Sequence, residues 1–253
     1  MSPMARFPHM TRALMAAASL VITFLGAPDA TFAQSSPFPQ HFRATFTLNA
    51  SNVDIGVTRW ELTPLSNGRS SFSTQSEAIG IAKLFRNERI NERSEWQLVD
   101  GRIRPLLYTY SRKGGKRDRE TRLNFDWARR VALSERNGKR ATVKLSNNTL
   151  DKSVYLIGLM MDLAKGMRQM QYTVADHGKT SVYQVAVVGD ESVQTVVGDL
   201  QTVIVERKQA GKSRLTRIWC AKAYHFLPVK LEHIEDDGTV RFTLTQLEGF
   251  GLK

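Results

Sequence analysis

The chain has 253 residues and 36 Lys+Arg against 24 Asp+Glu, a net charge of +12, with a single cysteine. One thiol excludes an internal disulfide framework, and 42% hydrophobic with 24% charged residues excludes a disordered, collagenous or polytopic membrane chain. The length suits one large β domain.

Residues 1–33 follow the pattern of a secretory signal peptide. Arg6 and Arg12 form a basic start, Ala13 to Gly26 an apolar run, and Thr31-Phe32-Ala33 a small-residue cleavage motif before Gln34. The run is shorter than the ~20 residues of a membrane span. No transmembrane anchor is therefore expected after cleavage, and no cysteine at the cut supports a lipid anchor. The expected organisation is a signal peptide over 1–33, a disordered segment over 34–40 and one β-rich domain over 41–250. Arg6, Arg12 and Asp29 leave with the signal, so +11 of the charge stays on a periplasmic chain.

From His41 the apolar period is 2, as in Phe42, Ala44, Phe46, Leu48 and in Val185, Val187. Turn signals recur at hairpin spacing: Asn67-Gly68, Asp100-Gly101, Gly114-Gly115, Asn137-Gly138, His177-Gly178, Gly189-Asp190, Gly198-Asp199, Gly211-Lys212 and Asp237-Gly238. Between Asp151 and Gly166 the offsets become helical, with Thr149 or Asp151 as the cap and Gly166 as the stop. The fold class is thus all-β: an antiparallel meander forming a curved sheet or incomplete barrel, with one short helix packed against it.

No HxH, HExxH, CxxC, GxSxG or SxxK motif occurs, and no glycine loop cradles a phosphate, so no metal site, catalytic residue or cofactor is assigned. Cys220 and His233 sit in strand patterns as core residues. Paired carboxylates, drawn from residues such as Asp126, Asp151 and Asp162, remain the one route to acid–base chemistry, and they need two such groups about 5–10 Å apart in a cleft.

Basic residues concentrate between Arg102 and Lys144, where 14 face only four acids. A two-residue turn at Gly114-Gly115 pairs Arg112 with Arg117, Tyr110 with Arg119, Tyr108 with Thr121 and Arg104 with Phe125 on one face. The candidate binding residues are accordingly Arg104, Tyr108, Tyr110, Arg112, Arg117, Arg119 and Phe125: a cationic tip above an aromatic base. An exported chain rarely meets nucleic acid, so the expected partner is an anionic envelope component, whether phospholipid, lipopolysaccharide or acidic glycan. Trp60, Trp96 and Trp219 are further candidate liners, with an ordinary core as their competing place.

Several stretches resemble the exported bacterial family known as domain of unknown function number 3108. They are Asp54-Ile55-Gly56-Val57, Ala78-Ile79-Gly80-Ile81-Ala82-Lys83-Leu84-Phe85, Gly101-Arg102-Ile103-Arg104-Pro105-Leu106-Leu107-Tyr108, Phe125-Asp126, Asp151, Val197-Gly198, Ile218-Trp219 and Leu227-Pro228-Val229-Lys230. Cys220 departs from the polar or small residue usual after that tryptophan. The resemblance implies a periplasmic antiparallel β protein with a short helix and no assigned catalytic residue. Two functions follow as expectations: a non-catalytic envelope protein binding an anionic amphiphile or glycan through its curved sheet, or a hydrolase of envelope glycan or lipid using paired carboxylates.

Overall fold

The computed structural model describes residues 38–85 and 87–250. The expected signal peptide and the first part of the 34–40 segment lie outside the described residues. Eight strands come first: β1 (Phe42–Ala50), β2 (Val53–Pro64), β3 (Arg69–Ala78), β4 (Arg89–Val99), β5 (Arg102–Lys113), β6 (Arg119–Asp126), β7 (Val131–Arg136) and β8 (Lys139–Lys144). A one-turn helix, α1 (Ala82–Phe85), interrupts the β3–β4 connection. After the two-residue β9 (Thr149–Leu150) and helix α2 (Tyr155–Ala164) come β10 (Gln169–Asp176), β11 (Lys179–Thr195), β12 (Gly198–Gln209), β13 (Leu215–Ala221), β14 (Leu227–Glu235) and β15 (Gly238–Glu248).

All fifteen strands of the described residues form one sheet in the order 8-7-6-5-4-3-2-1-15-14-13-12-11-10-9. The first strand lies mid-sheet because β1 pairs with β15, and the two halves grow outward from that junction. Asn67-Gly68, Asp100-Gly101 and Asn137-Gly138 all have positive φ at both residues, the backbone of tight hairpin turns that match the strand twist. A twisted sheet of this width curls, so its edges β8 and β9 are left unpaired on their outer sides while β8 touches β11.

Alternation puts Phe42, Phe46, Trp60, Phe72 and Trp96 on the inner face, where the rings of Phe46 and Trp60 lie 4.6 Å apart. Against this face packs α2, with seven of its ten residues buried. A helix apolar nearly all round is what an element enclosed by a curled sheet requires. Asp151 starts it: Oδ1 accepts the N–H groups of Ser153 and Val154, each at 2.9 Å. At the other end Gly166, at φ +79, turns the chain away while Met167 N–H donates to the Asp162 carbonyl.

Side chains, not a ladder, join the two ends of the sheet. Asp176, at the end of β10, accepts from Lys152 Nζ at 2.7 Å and from Arg136 of β7. Ser134 Oγ of β7 meets His177 Nδ1 at 2.9 Å. Gly178 leaves room for Ala141 of β8 beside it.

Local expectations change at several turns: Gly198 and Asp199 already belong to β12, and the β11–β12 turn is Val196-Val197. Gly189-Asp190 is no turn: β11 runs through it, and the register slips between Val187 and Gly189, a bulge of the kind that glycine inside a strand often marks. The β14–β15 turn sits one residue earlier than Asp237-Gly238 suggests. His233 therefore faces Val240 and reaches Phe242 diagonally, ring centroids 5.0 Å apart. The shift of two in pairing keeps the face, so His233 still lies inward against Thr216, and burial lowers its pKa to about 4.

Candidate functional site

The β5–β6 hairpin carries the basic cluster, in a register two residues from the expected one: Arg112 faces Arg119, Tyr110 faces Thr121 and Tyr108 faces Leu123. The connection is five residues, Gly114 to Asp118. Its two glycines serve close approach, since a side chain at Gly114 or Gly115 would strike the Asn87 carbonyl or the Glu88 carboxylate. The tip is thereby seated on the segment that follows α1.

The structure divides the seven candidate residues. Arg112, Arg117 and Arg119 meet at the tip, where Arg112 Nη2 donates to the Arg117 carbonyl at 3.2 Å and Arg112 Nε is buried without a partner. Tyr110 lies half-buried beneath them, its pKa raised by burial. Tyr108 and Phe125 belong to the core, at 1% and 9% exposure. Arg104 is on the opposite face. A bulge at Leu106, between the pairs Trp96–Pro105 and Glu95–Leu107, reverses the alternation, and Arg104 instead covers the Trp127 ring at 5.7 Å. Trp60, Trp96 and Trp219 are core residues.

Beside the tip stands a surface that periodicity did not mark. The connection from Ile79 to Glu88 closes on itself through Ala78 N–H to the Glu88 carbonyl, and α1 lifts Ile81 and Leu84 into solvent at 61% and 83% exposure. Val53 of the adjoining β2 is also exposed. The same loop, the start of β4 and the hairpin tip seated on them carry exposed Lys83, Arg89, Lys113, Lys116, Arg117 and Arg119. Arg89 faces Lys113 across the β4–β5 ladder, as Arg112 faces Arg119 across the next. Directly opposed like charges are unfavourable, and Glu120 relieves only part of this through Lys113 at 3.4 Å. The signal available in the sequence was the apolar Ile79–Phe85 run between strands with no alternation to bury it.

The interior holds the carboxylates that paired-acid chemistry would need. Tyr108 donates to Glu92 Oε2 at 2.7 Å, and Ser94 donates to Asp151 Oδ2 at 2.6 Å. Burial raises the pKa of Glu92 and pushes that of Asp151 up to about 6, with smaller upward pushes from Asp176 on Glu92 and from Glu92 on Asp151. Asp176 is the counterexample: burial alone would raise it, but Lys152 and Arg136 hold it below the usual range. Asp151 is completely buried, with both oxygens taken by Ser94, Ser153 and Val154. It has no face open to a substrate. Cys220 is equally enclosed, its thiol pKa pushed well up by burial.

The family described as protein of unknown function (DUF3108) matches residues 41–245. The chain belongs to this family. No curated protein matches it significantly. Among solved structures, a beta-barrel-like protein of domain of unknown function DUF1849 from Brucella abortus is similar, with a TM-score of 0.56 at 10% identity over 85% of this chain and 100% of that one. At that identity the likeness concerns the fold alone: a large curved antiparallel sheet is common to a second family. Among the described residues of this DUF3108 protein, no helix is long and apolar enough to cross a membrane.

Proposed function

We propose that this DUF3108 protein is an exported, non-catalytic protein of the cell envelope that binds an anionic amphiphile, phospholipid or lipopolysaccharide, at the β5–β6 end of its sheet. The reading rests on one observation: a cationic hairpin tip is seated against a loop that exposes Ile81 and Leu84. The signal-peptide pattern of residues 1–33 supports export to the compartment where such lipids occur. Apolar side chains entering the acyl boundary contribute roughly 1.5–3 kcal/mol each when fully buried, and each Lys or Arg near an anionic surface adds about 1 kcal/mol that salt weakens. Neither contribution suffices alone for stable attachment; side by side they do. The sealing of Asp151 removes that residue from the carboxylates a hydrolase could use.

Co-sedimentation with liposomes tests it. The protein should bind vesicles containing phosphatidylglycerol more tightly than phosphatidylcholine vesicles, and less tightly in high salt. Lys116→Glu, Arg117→Glu and Arg119→Glu together should remove that preference with little change in the unfolding midpoint, because all three are exposed. Leu84→Ser should weaken binding to both vesicles. If the triple variant binds as the parent does, the basic tip is solubilising surface and the proposal is wrong.

A further inference from the structure

At the other end of β5, where α2 crosses the inner face, lies a pocket of about 390 Å³. Strand rise puts it roughly 36 Å from the hairpin tip, eleven residues along β5. Its walls come from the start of β5, the loop before β9, the outward side of α2 and the first half of β10. Gly158 is the only residue of α2 without a side chain, and it brings the helix against Leu150, 3.2 Å from where a Cβ would lie, and near Tyr172 and Ile103.

The lining is amphipathic. Ile103, Leu150, Met161, Met170 and Tyr172 form an apolar floor, and Arg102 and Lys165 stand at the exposed rim. Methionines adapt to irregular apolar shapes, which suits a flexible chain better than a rigid ring. The acid in the lining, Asp162, accepts from Tyr172 Oη at 3.0 Å and from Lys165 at 3.2 Å, so its charge is met from within the wall. Arg102 makes no ion pair among the described residues. The volume falls within the ~300–1,000 Å³ of small-molecule sites, and the mouth of a curled sheet is a common place for one.

We infer that this pocket binds a single-chain amphiphile with an anionic head, the chain lying on the Ile103–Leu150–Met161–Met170 floor and the head against Arg102, with the Asp162-paired Lys165 beside it at the rim. The site is separate from the basic tip and does not require it. A fatty acid and a lysophospholipid share this chemistry, and titration separates them.

Calorimetric titration of the protein with myristate and with lysophosphatidylglycerol, each below its micelle concentration, should show saturable 1:1 binding of at least one, and dodecyl maltoside, with an uncharged head, should bind at least tenfold more weakly. Arg102→Glu with Lys165→Glu should weaken the anionic probe about tenfold or more. Met161→Trp, which fills the floor, should remove binding while the far-ultraviolet dichroism stays that of the parent. The triple variant at the hairpin tip should leave the titration unchanged, so failure here and failure of the surface proposal are distinguishable. Equal binding of the uncharged probe, or anionic binding untouched by both pocket variants, would overturn the inference.

Discussion

Two parts of the interior hold the sheet around α2 by different means. Along β1–β3 and β13–β15 the ladder is continuous, and the space beneath it is filled by rings and aliphatic side chains such as Phe42, Phe72, Ile157 and Leu231. Where β7 and β8 approach β10 and β11 there is no ladder, and a small apolar cluster around Leu123, Ala132 and Val143 is joined by Asp151, Asp176, Lys152, Arg136 and His177. Apolar packing closes an interior that backbone pairing has already ordered. Bringing two unpaired edges together needs directional contacts, and those contacts titrate.

The largest expected effect lies in the apolar part. Ile157, fully buried on α2, leaves a cavity when cut to alanine, and Ile157→Ala should cost about 2–5 kcal/mol. The buried cluster it belongs to consists of apolar residues, tyrosines and Cys220, with no carboxylate or histidine among its buried members, so the loss should be the same at pH 5 and pH 8 in denaturant unfolding. A loss that varies strongly with pH would mean that the two parts are coupled.

Asp151 should behave in the opposite way. Asp151→Ala strips the acceptor from Ser94, Ser153 and Val154 and should cost about 2–4 kcal/mol. Asp151→Asn keeps an acceptor for the helix start and removes a buried charge, so it should be nearly neutral at pH 7. The pH dependence carries the distinction. Because the folded pKa is about 6 against 3.8 for the ordinary group, the folded state binds more protons between those values. Stability of the parent should therefore rise as pH falls from 7 towards 4, on the order of 3 kcal/mol, with Glu92 acting in the same direction. In Asp151→Asn most of that rise should vanish. An unchanged slope would show that Asp151 is not the titrating group.

The strands and most of their turns were legible because period-2 burial and Asn-Gly or Asp-Gly pairs are local. Phe42, Ala44 and Phe46 are buried as their alternation requires, and α2 starts at the Asp151 turn and stops before Gly166. The β1–β15 pairing joins residues some 200 apart, so no local pattern encodes it. The hairpin register failed where Gly114-Gly115 served packing against Asn87 and Glu88, and the face of Arg104 failed at a bulge that Pro105-Leu106 does not announce. The tip arginines were legible from charge; their apolar neighbours Ile81 and Leu84 were not, because exposure of an apolar run is a tertiary fact. The acids that meet inside, Glu92, Asp151 and Asp176, come from three separated segments.

The smallest stability effect is expected at the seam itself. Asp176 retains 16% side-chain exposure, so water screens its pairs with Lys152 and Arg136, and Asp176→Asn should cost only about 1–2 kcal/mol at pH 7. Its folded pKa is lowered, so it stabilises the fold above the ordinary carboxylate range and that contribution is lost as pH falls through the folded value. The gain that Asp151 brings on acidification should thus be opposed by Asp176 only around and below the ordinary aspartate value of 3.8, where the parent's stability should turn over. Asp176→Asn should lack the acid-side decline. Location is the sharper readout: amide exchange in the variant should speed up in β7, β8 and β10, whose edges the carboxylate joins, and stay slow in β1–β3, where the ladder is intact. Faster exchange spread evenly over both regions would mean that the seam is not a separate unit and that the curl is held by the apolar core alone.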